Sequence, residues 1–220
     1  MKNKLLWGLV GLLALSLIVI GLSSRKSSSV TGDATDLQKY PVTENDHWYG
    51  NRNAKVVIVE YGDFQCPACA SYSALLKQAV EIYKGEVAIV FRHFPLIEIH
   101  PRALASAKVA EASGMQGKFF EMLDLLYANQ SEWVNATDPT AVFLGYATKL
   151  GLNIDKFNGD LKLASLEDKI KGGRDEARAM KLSGTPSLFI NGKLIPLPQN
   201  GTEFQKVIEN ELTNANTKTQ

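Results

Sequence analysis

Cysteine is the scarcest informative residue in this chain: there are two in 220 residues, Cys66 and Cys69, three positions apart. A disulfide closing so short a loop restricts the unfolded chain very little, so the pair is no structural staple. A structural zinc site normally takes four ligands, and no second cysteine pair exists to complete one. Histidine is sparse too, and His47, His93 and His100 show no paired metal-ligand spacing. Neither a metal nor a cofactor is expected. An excess of charge is also missing: 24 Lys and Arg face 23 Asp and Glu, and no arginine-rich stripe stands out. That excludes the electrostatic footprint of a nucleic-acid binder. With stapling and metal binding set aside, the pair reads as chemistry.

What is present fits one substantial domain with accessory segments. A hydrophobic share of 45% and a charged share of 21% supply a well-buried core. Lys2 and Lys4 precede an apolar stretch, Leu5 to Leu22, with Ser16 its only polar interruption. Its length reaches that of a spanning helix and exceeds the core of a cleaved signal peptide, while Gly21 and Ser23 leave room for cleavage. Residues 1–22 are therefore expected to be a transmembrane anchor or a signal segment. Charge alone leaves the orientation balanced, because Arg25 and Lys26 flank the far side. Either way the remainder is expected outside the cytoplasm, held at the membrane if the helix is retained and secreted if it is cleaved. Residues 23–45, rich in Ser, Thr, Gly and Asp, read as a flexible tether, with partial order conceivable at Leu37 to Val42.

The folded domain is expected over 46–220. Val56 to Tyr61 is a run of β-branched and apolar residues typical of a buried strand, and Glu86 to Phe91 is a second. Between them Ala68 to Tyr83 carries helical periodicity, so strand, helix and strand form a parallel crossover unit. Pro101–Ala112, Lys118–Ala128, Asp138–Leu150, Asp155–Leu163 and Leu166–Met180 then read as helices of an insertion over about 97–182. Ser187–Ile190 and Lys193–Ile195 are strands joined by Asn191-Gly192, a two-residue hairpin signal. Thr202 and Gln205 read as a capping box opening a last helix to Leu212. The order βαβ, helical block, ββα is that of an α/β thioredoxin-like fold with an inserted helical domain.

The cysteines sit at the first strand-to-helix junction, as Cys66-Pro67-Ala68-Cys69. Proline suits the first helical position, which places Cys66 at the helix N-terminus among unpaired N–H groups that favour thiolate. Cys66 is thus the expected nucleophile. Cys69, one turn on and more buried, is the resolving thiol. Glu60, a lone carboxylate in an apolar strand, could pass a proton to and from Cys69 with its pKa raised by burial, or else reach solvent at a strand end. Gly184-Thr185-Pro186 precedes the third strand and would arrive beside Cys66. A cis Thr185–Pro186 bond would present the Thr185 backbone to an extended substrate peptide. Pro67 and Ala68 flank the same surface and are expected to touch substrate. His93 is expected to satisfy a loop carbonyl rather than face the site, and His100 to open a helix.

Val56-Val57-Ile58-Val59-Glu60-Tyr61-Gly62-Asp63-Phe64-Gln65-Cys66-Pro67-Ala68-Cys69 resembles the active-site region of the DsbA-like thioredoxin family. Phe91-Arg92-His93-Phe94-Pro95-Leu96, His100-Pro101, Gly184-Thr185-Pro186-Ser187 and Asn191-Gly192 extend the resemblance over about 46–212. It implies thiol–disulfide exchange on exported proteins, with Cys66 as nucleophile, Cys69 resolving, Glu60 the buried acid and Pro186 the cis-proline. It also implies a membrane redox partner that recycles the pair. In one departure, the strong oxidants of the family have histidine where this chain has Ala68, which should make the pair less oxidising. An oxidase is the leading expectation. A reductase or isomerase, or a non-redox peptide-binding domain, stands as the alternative.

Overall fold

The computed structural model describes residues 36–217, so the expected anchor or signal segment lies outside the described residues. Among those described, no helix is long and apolar enough to cross a membrane. The sheet is built on β2 (Val56–Gly62), whose apolar run is buried almost throughout because it lies at the centre. With β1 (His47–Gly50), β3 (Val87–His93), β4 (Ser187–Ile190) and β5 (Lys193–Ile195) it gives the order β1-β3-β2-β4-β5. β2 and β3 are parallel and joined through α1 (Pro67–Ile82), as a crossover requires, and every other pairing is antiparallel. The β4–β5 turn is the expected Asn191-Gly192, both residues at positive φ (47° and 84°).

Alternate side chains of β2 feed separate cores, the consequence of a period of two on a sheet covered on both faces. Val56 and Ile58 pack with Leu76, Val80 and Ile208 beneath α1 and α8 (Gly201–Thr217). Val59 and Tyr61 pack with Phe189, Ala177 and Leu37 on the opposite face. Between β3 and β4 the chain makes α2 (Ala103–Gly114), α3 (Phe119–Ala128), α4 (Gln130–Asn135), α5 (Thr140–Lys149), α6 (Ile154–Asp160) and α7 (Ala164–Ala179). These helices share a core around Met122, Leu126, Trp133 and Phe157 that is continuous with Cys66 and Cys69. The α/β architecture with its helical insertion is as expected.

Two elements are added to those expected, and two local expectations are corrected. β1 is a strand of only four residues at the sheet edge, three half-buried and Gly50 exposed, too short to announce itself. α4 is a single short helix around fully buried Trp133, whose indole donates to the Leu126 carbonyl at 2.8 Å. The last helix is capped by Asn200, not by Thr202 with Gln205. Asn200 Oδ1 accepts from the Glu203 N–H at 2.9 Å, and Glu203 returns the bond by accepting from the Gln199 N–H at 2.7 Å. Finally, ordered structure begins ahead of Asp46. A 3-10 turn, Asp36–Lys39, buries Leu37, and the Arg92 guanidinium donates to the carbonyls of Tyr40 (2.8 Å) and Pro41 (2.9 Å) and to the Asp46 carboxylate. The tether expected up to residue 45 thus loses its last ten residues to the fold, because one leucine among polar residues is enough when an arginine collects the backbone.

Candidate active site

Cys66 is the N-cap of α1, with extended backbone (φ −76°, ψ 119°) and Pro67 in the first turn. The loop ahead of it is held from below. The Asp63 carboxylate is sealed from solvent and accepts from the Gln65 N–H (2.7 Å), the Leu96 N–H (2.9 Å) and His100 Nδ1 (2.7 Å). Gln65 Oε1 accepts from the Arg102 N–H, and Gln130 Nε2 donates to the Phe64 carbonyl at 2.8 Å. The helical insertion therefore clamps the cysteine loop. Pro67 and Ala68 are exposed on the outer side.

Pairing of Tyr61 with Ser187 brings the Thr185–Pro186 bond, which is cis, to the C-terminal end of β2. There the Cys66 thiol donates to the Thr185 carbonyl at 3.3 Å, across 119 residues of sequence. Pro186 is buried and Thr185 half-buried, its hydroxyl enclosed without a hydrogen-bond partner.

The two thiols are driven in opposite directions. A hydrogen bond from Cys69, helped by the backbone N–H groups of Cys69 and Ala68, outweighs burial and brings Cys66 down to about 5. Burial first, then the bond it gives Cys66 and the neighbouring charge of Glu60, push Cys69 well above the ordinary thiol value. Glu60 does not reach solvent: it is 2% exposed, and its Oε1 has no hydrogen-bond partner. Burial, with a contribution from Cys66, raises it to about 8. A neutral acid beside a buried thiol is thus built into β2. Tyr127, from α3, also has its phenol raised by burial and by Cys69, Glu60 and Asp63; in sequence it is one more residue of an apolar stripe.

The other two expected polar residues belong elsewhere. His100 holds Asp63, a positioning contact that its place before Pro101 does not reveal. His93 meets neither the cysteines nor a loop carbonyl. Its Nε2 lies 2.7 Å from Glu111 Oε1, which also lies 2.6 Å from His47 Nε2, and Lys169 Nζ stands 3.0 Å from Glu111 Oε2. Gly173 explains the lysine's approach: a Cβ there would sit 2.6 Å from the His93 carbonyl oxygen, so α7 packs directly on β3 with Lys169 one turn earlier. Burial lowers His47, and its two imidazole partners help hold Glu111 far below the usual carboxylate range against the penalty of burial.

Comparison with known proteins follows the same lines. The family model described as thioredoxin matches residues 42–210. The Na+/H+ antiporter NhaA 1 of Mycolicibacterium gilvum is 33% identical over 170 residues, 76% of this chain and 26% of that protein. The chain thus spans about a quarter of the length of this curated relative. Among solved structures, alpha-DsbA1 of Wolbachia pipientis matches with a TM-score of 0.72 at 22% identity, over 84% of this chain and 100% of that one. The thiol-disulfide exchange protein alpha-DsbA2 of the same organism matches with a TM-score of 0.69 at 21% identity, over 80% and 94%. At these identities the likeness establishes the fold.

Proposed function

The chain belongs to the thioredoxin family, and from that premise we propose that it is a protein thiol–disulfide oxidoreductase that donates the Cys66–Cys69 disulfide to exported proteins. The observation that carries this reading is the opposed pair of thiols, Cys66 brought down to about 5 and Cys69 pushed up beside a protonated Glu60. In the oxidised protein a substrate thiolate attacks Cys66 Sγ, the more accessible sulfur. The Cys66–Cys69 bond breaks as the mixed disulfide forms, and Cys69 leaves with a proton that Glu60 supplies. A second substrate thiolate then attacks the substrate sulfur and expels Cys66 as its stabilised thiolate. The substrate has lost two electrons and the cysteine pair has gained them. A membrane redox partner takes them back.

The surroundings suit an extended peptide. Pro67 and Ala68 are exposed beside Cys66, and Ile97 and Ile99 stand exposed on the loop pinned to Asp63, at 42% and 69%. The apolar stretch Leu5 to Leu22 supports a setting outside the cytoplasm.

The direction of electron flow is the point on which Ala68 bears. A low nucleophile pKa stabilises the reduced pair and makes its disulfide oxidising, and here it is reached without histidine between the cysteines. Equilibration of the pair in a glutathione series measures the outcome. A potential more positive than about −180 mV supports the oxidase, whereas one near thioredoxin's, about −270 mV, reverses the direction to a reductase.

A further inference from the structure

The cluster of His47, His93 and Glu111 plays no part in the exchange chemistry, and its hydrogen bonds do not close. Glu111 Oε1 lies 2.6 Å from His47 Nε2 and 2.7 Å from His93 Nε2, so each ring nitrogen must carry a proton to bond it. Lys169 Nζ lies 2.9 Å from the same His47 Nε2, which requires that nitrogen to be bare. One ring nitrogen cannot satisfy both. Protonated, it turns an N–H toward an ammonium; bare, it turns a lone pair toward a carboxylate oxygen. Both conflicts disappear if a divalent cation takes the ammonium's place, because all three side chains then act as lone-pair donors.

We propose that His47, His93 and Glu111 form a zinc site of two imidazoles and one carboxylate, with Lys169 as its displaceable competitor. Their donor atoms all lie within 4.8 Å of one another. Ligands held about 2.0–2.2 Å from tetrahedral zinc stand roughly 3.4 Å apart, so the contacts need open by less than about 1 Å. The donor set suits a borderline ion and not calcium or magnesium, which take oxygen ligands. The His47 ring is fixed by stacking on Phe119, with centroids 3.5 Å apart and planes 7° from parallel. Lys169 has 43% of its side chain exposed and can swing away. A cavity of about 330 Å³ lined by His47, His93, Lys169 and Gly173 gives the ion a way in. Bound there, zinc ties β1 and β3 to α2, joining the sheet to the helical insertion.

The test uses the full chain in its disulfide form, so that neither cysteine can ligate, and measures Zn2+ uptake in competition with a chromogenic chelator. One equivalent is expected. Loss of a ligand in His47→Ala should weaken binding at least about tenfold. Lys169→Met, at a half-exposed position that leaves the core intact, should tighten it about tenfold by removing a like charge within about 4 Å. Absence of stoichiometric zinc, unchanged affinity in His47→Ala, or weaker binding in Lys169→Met would each overturn the proposal.

Discussion

Glu60 and Glu111 are the same residue at almost the same depth, 2% and 3% exposed, and they hold opposite charge states. Glu60 lies in the central strand with an Oε1 that nothing bonds, and burial keeps it protonated to about pH 8. Glu111 lies in α2 with two imidazoles and an ammonium around it, and stays ionised far into acid. Depth alone therefore predicts neither state. An unpaired buried carboxyl escapes the cost of its charge by holding its proton, while a surrounded one keeps the charge and organises its neighbours. The first keeps a proton beside the cysteines, the second holds elements together.

If that division is right, removal of groups at the two ends should have different consequences. The largest is at the cysteine end: Cys66→Ala should abolish oxidation of a reduced test protein, while Cys69→Ala accumulates mixed disulfides visible on non-reducing gels. A normal rate in Cys66→Ala would remove the nucleophile from the scheme. Next, Glu111→Ala strands two imidazoles and an ammonium and should cost about 3 kcal/mol in denaturant unfolding. Glu60→Gln should do the reverse. Its carboxyl titrates at about 8 in the folded chain and at its ordinary value of 4.5 unfolded, so between those values the unfolded state binds fewer protons and stability falls as pH rises. Relative to the parent, the Gln variant should therefore gain on the order of 1 kcal/mol per pH unit between pH 5 and 7, followed by chemical denaturation. It should also slow exchange by about 10²-fold, because no proton is available to Cys69. A variant that loses stability across that range would erase the contrast between the two acids.

The cysteine end is largely legible in the sequence, and the other end is not. Cys66, Pro67 and Cys69 lie within four residues of one another, and their local order already dictates a helix start with one sulfur at its tip and the other one turn deeper, 7% and 0% exposed in the fold. Glu60 could be read because a lone acid is conspicuous in VVIVEYG. Thr185–Pro186 needed the topology, yet its place before β4 was enough to bring it to Cys66. His47, His93 and Glu111 carry no such local mark. His47 comes from an edge strand too short to show a pattern, and Glu111 from a helix whose alanines give little amphipathic contrast. Only the antiparallel pairing of β1 with β3, the packing of α7 on β3 and that of α2 on α7 make these residues neighbours. Nor did composition show the strap at Tyr40 and Pro41, since the groups that Arg92 collects there are backbone carbonyls.

The separation of 119 positions between Cys66 and Thr185 also sets a delay. At synthesis rates of about 5–20 residues per second, roughly 6–24 s pass between the appearance of Cys66 and that of the carbonyl it meets. Once β3 has been made, β2 has it on one side and nothing on the other for the rest of that interval, because β4 and β5 have not yet been made. The newborn chain thus carries a sticky central edge and half of its cysteine site, and residues 185–195 supply both the cover and the missing half.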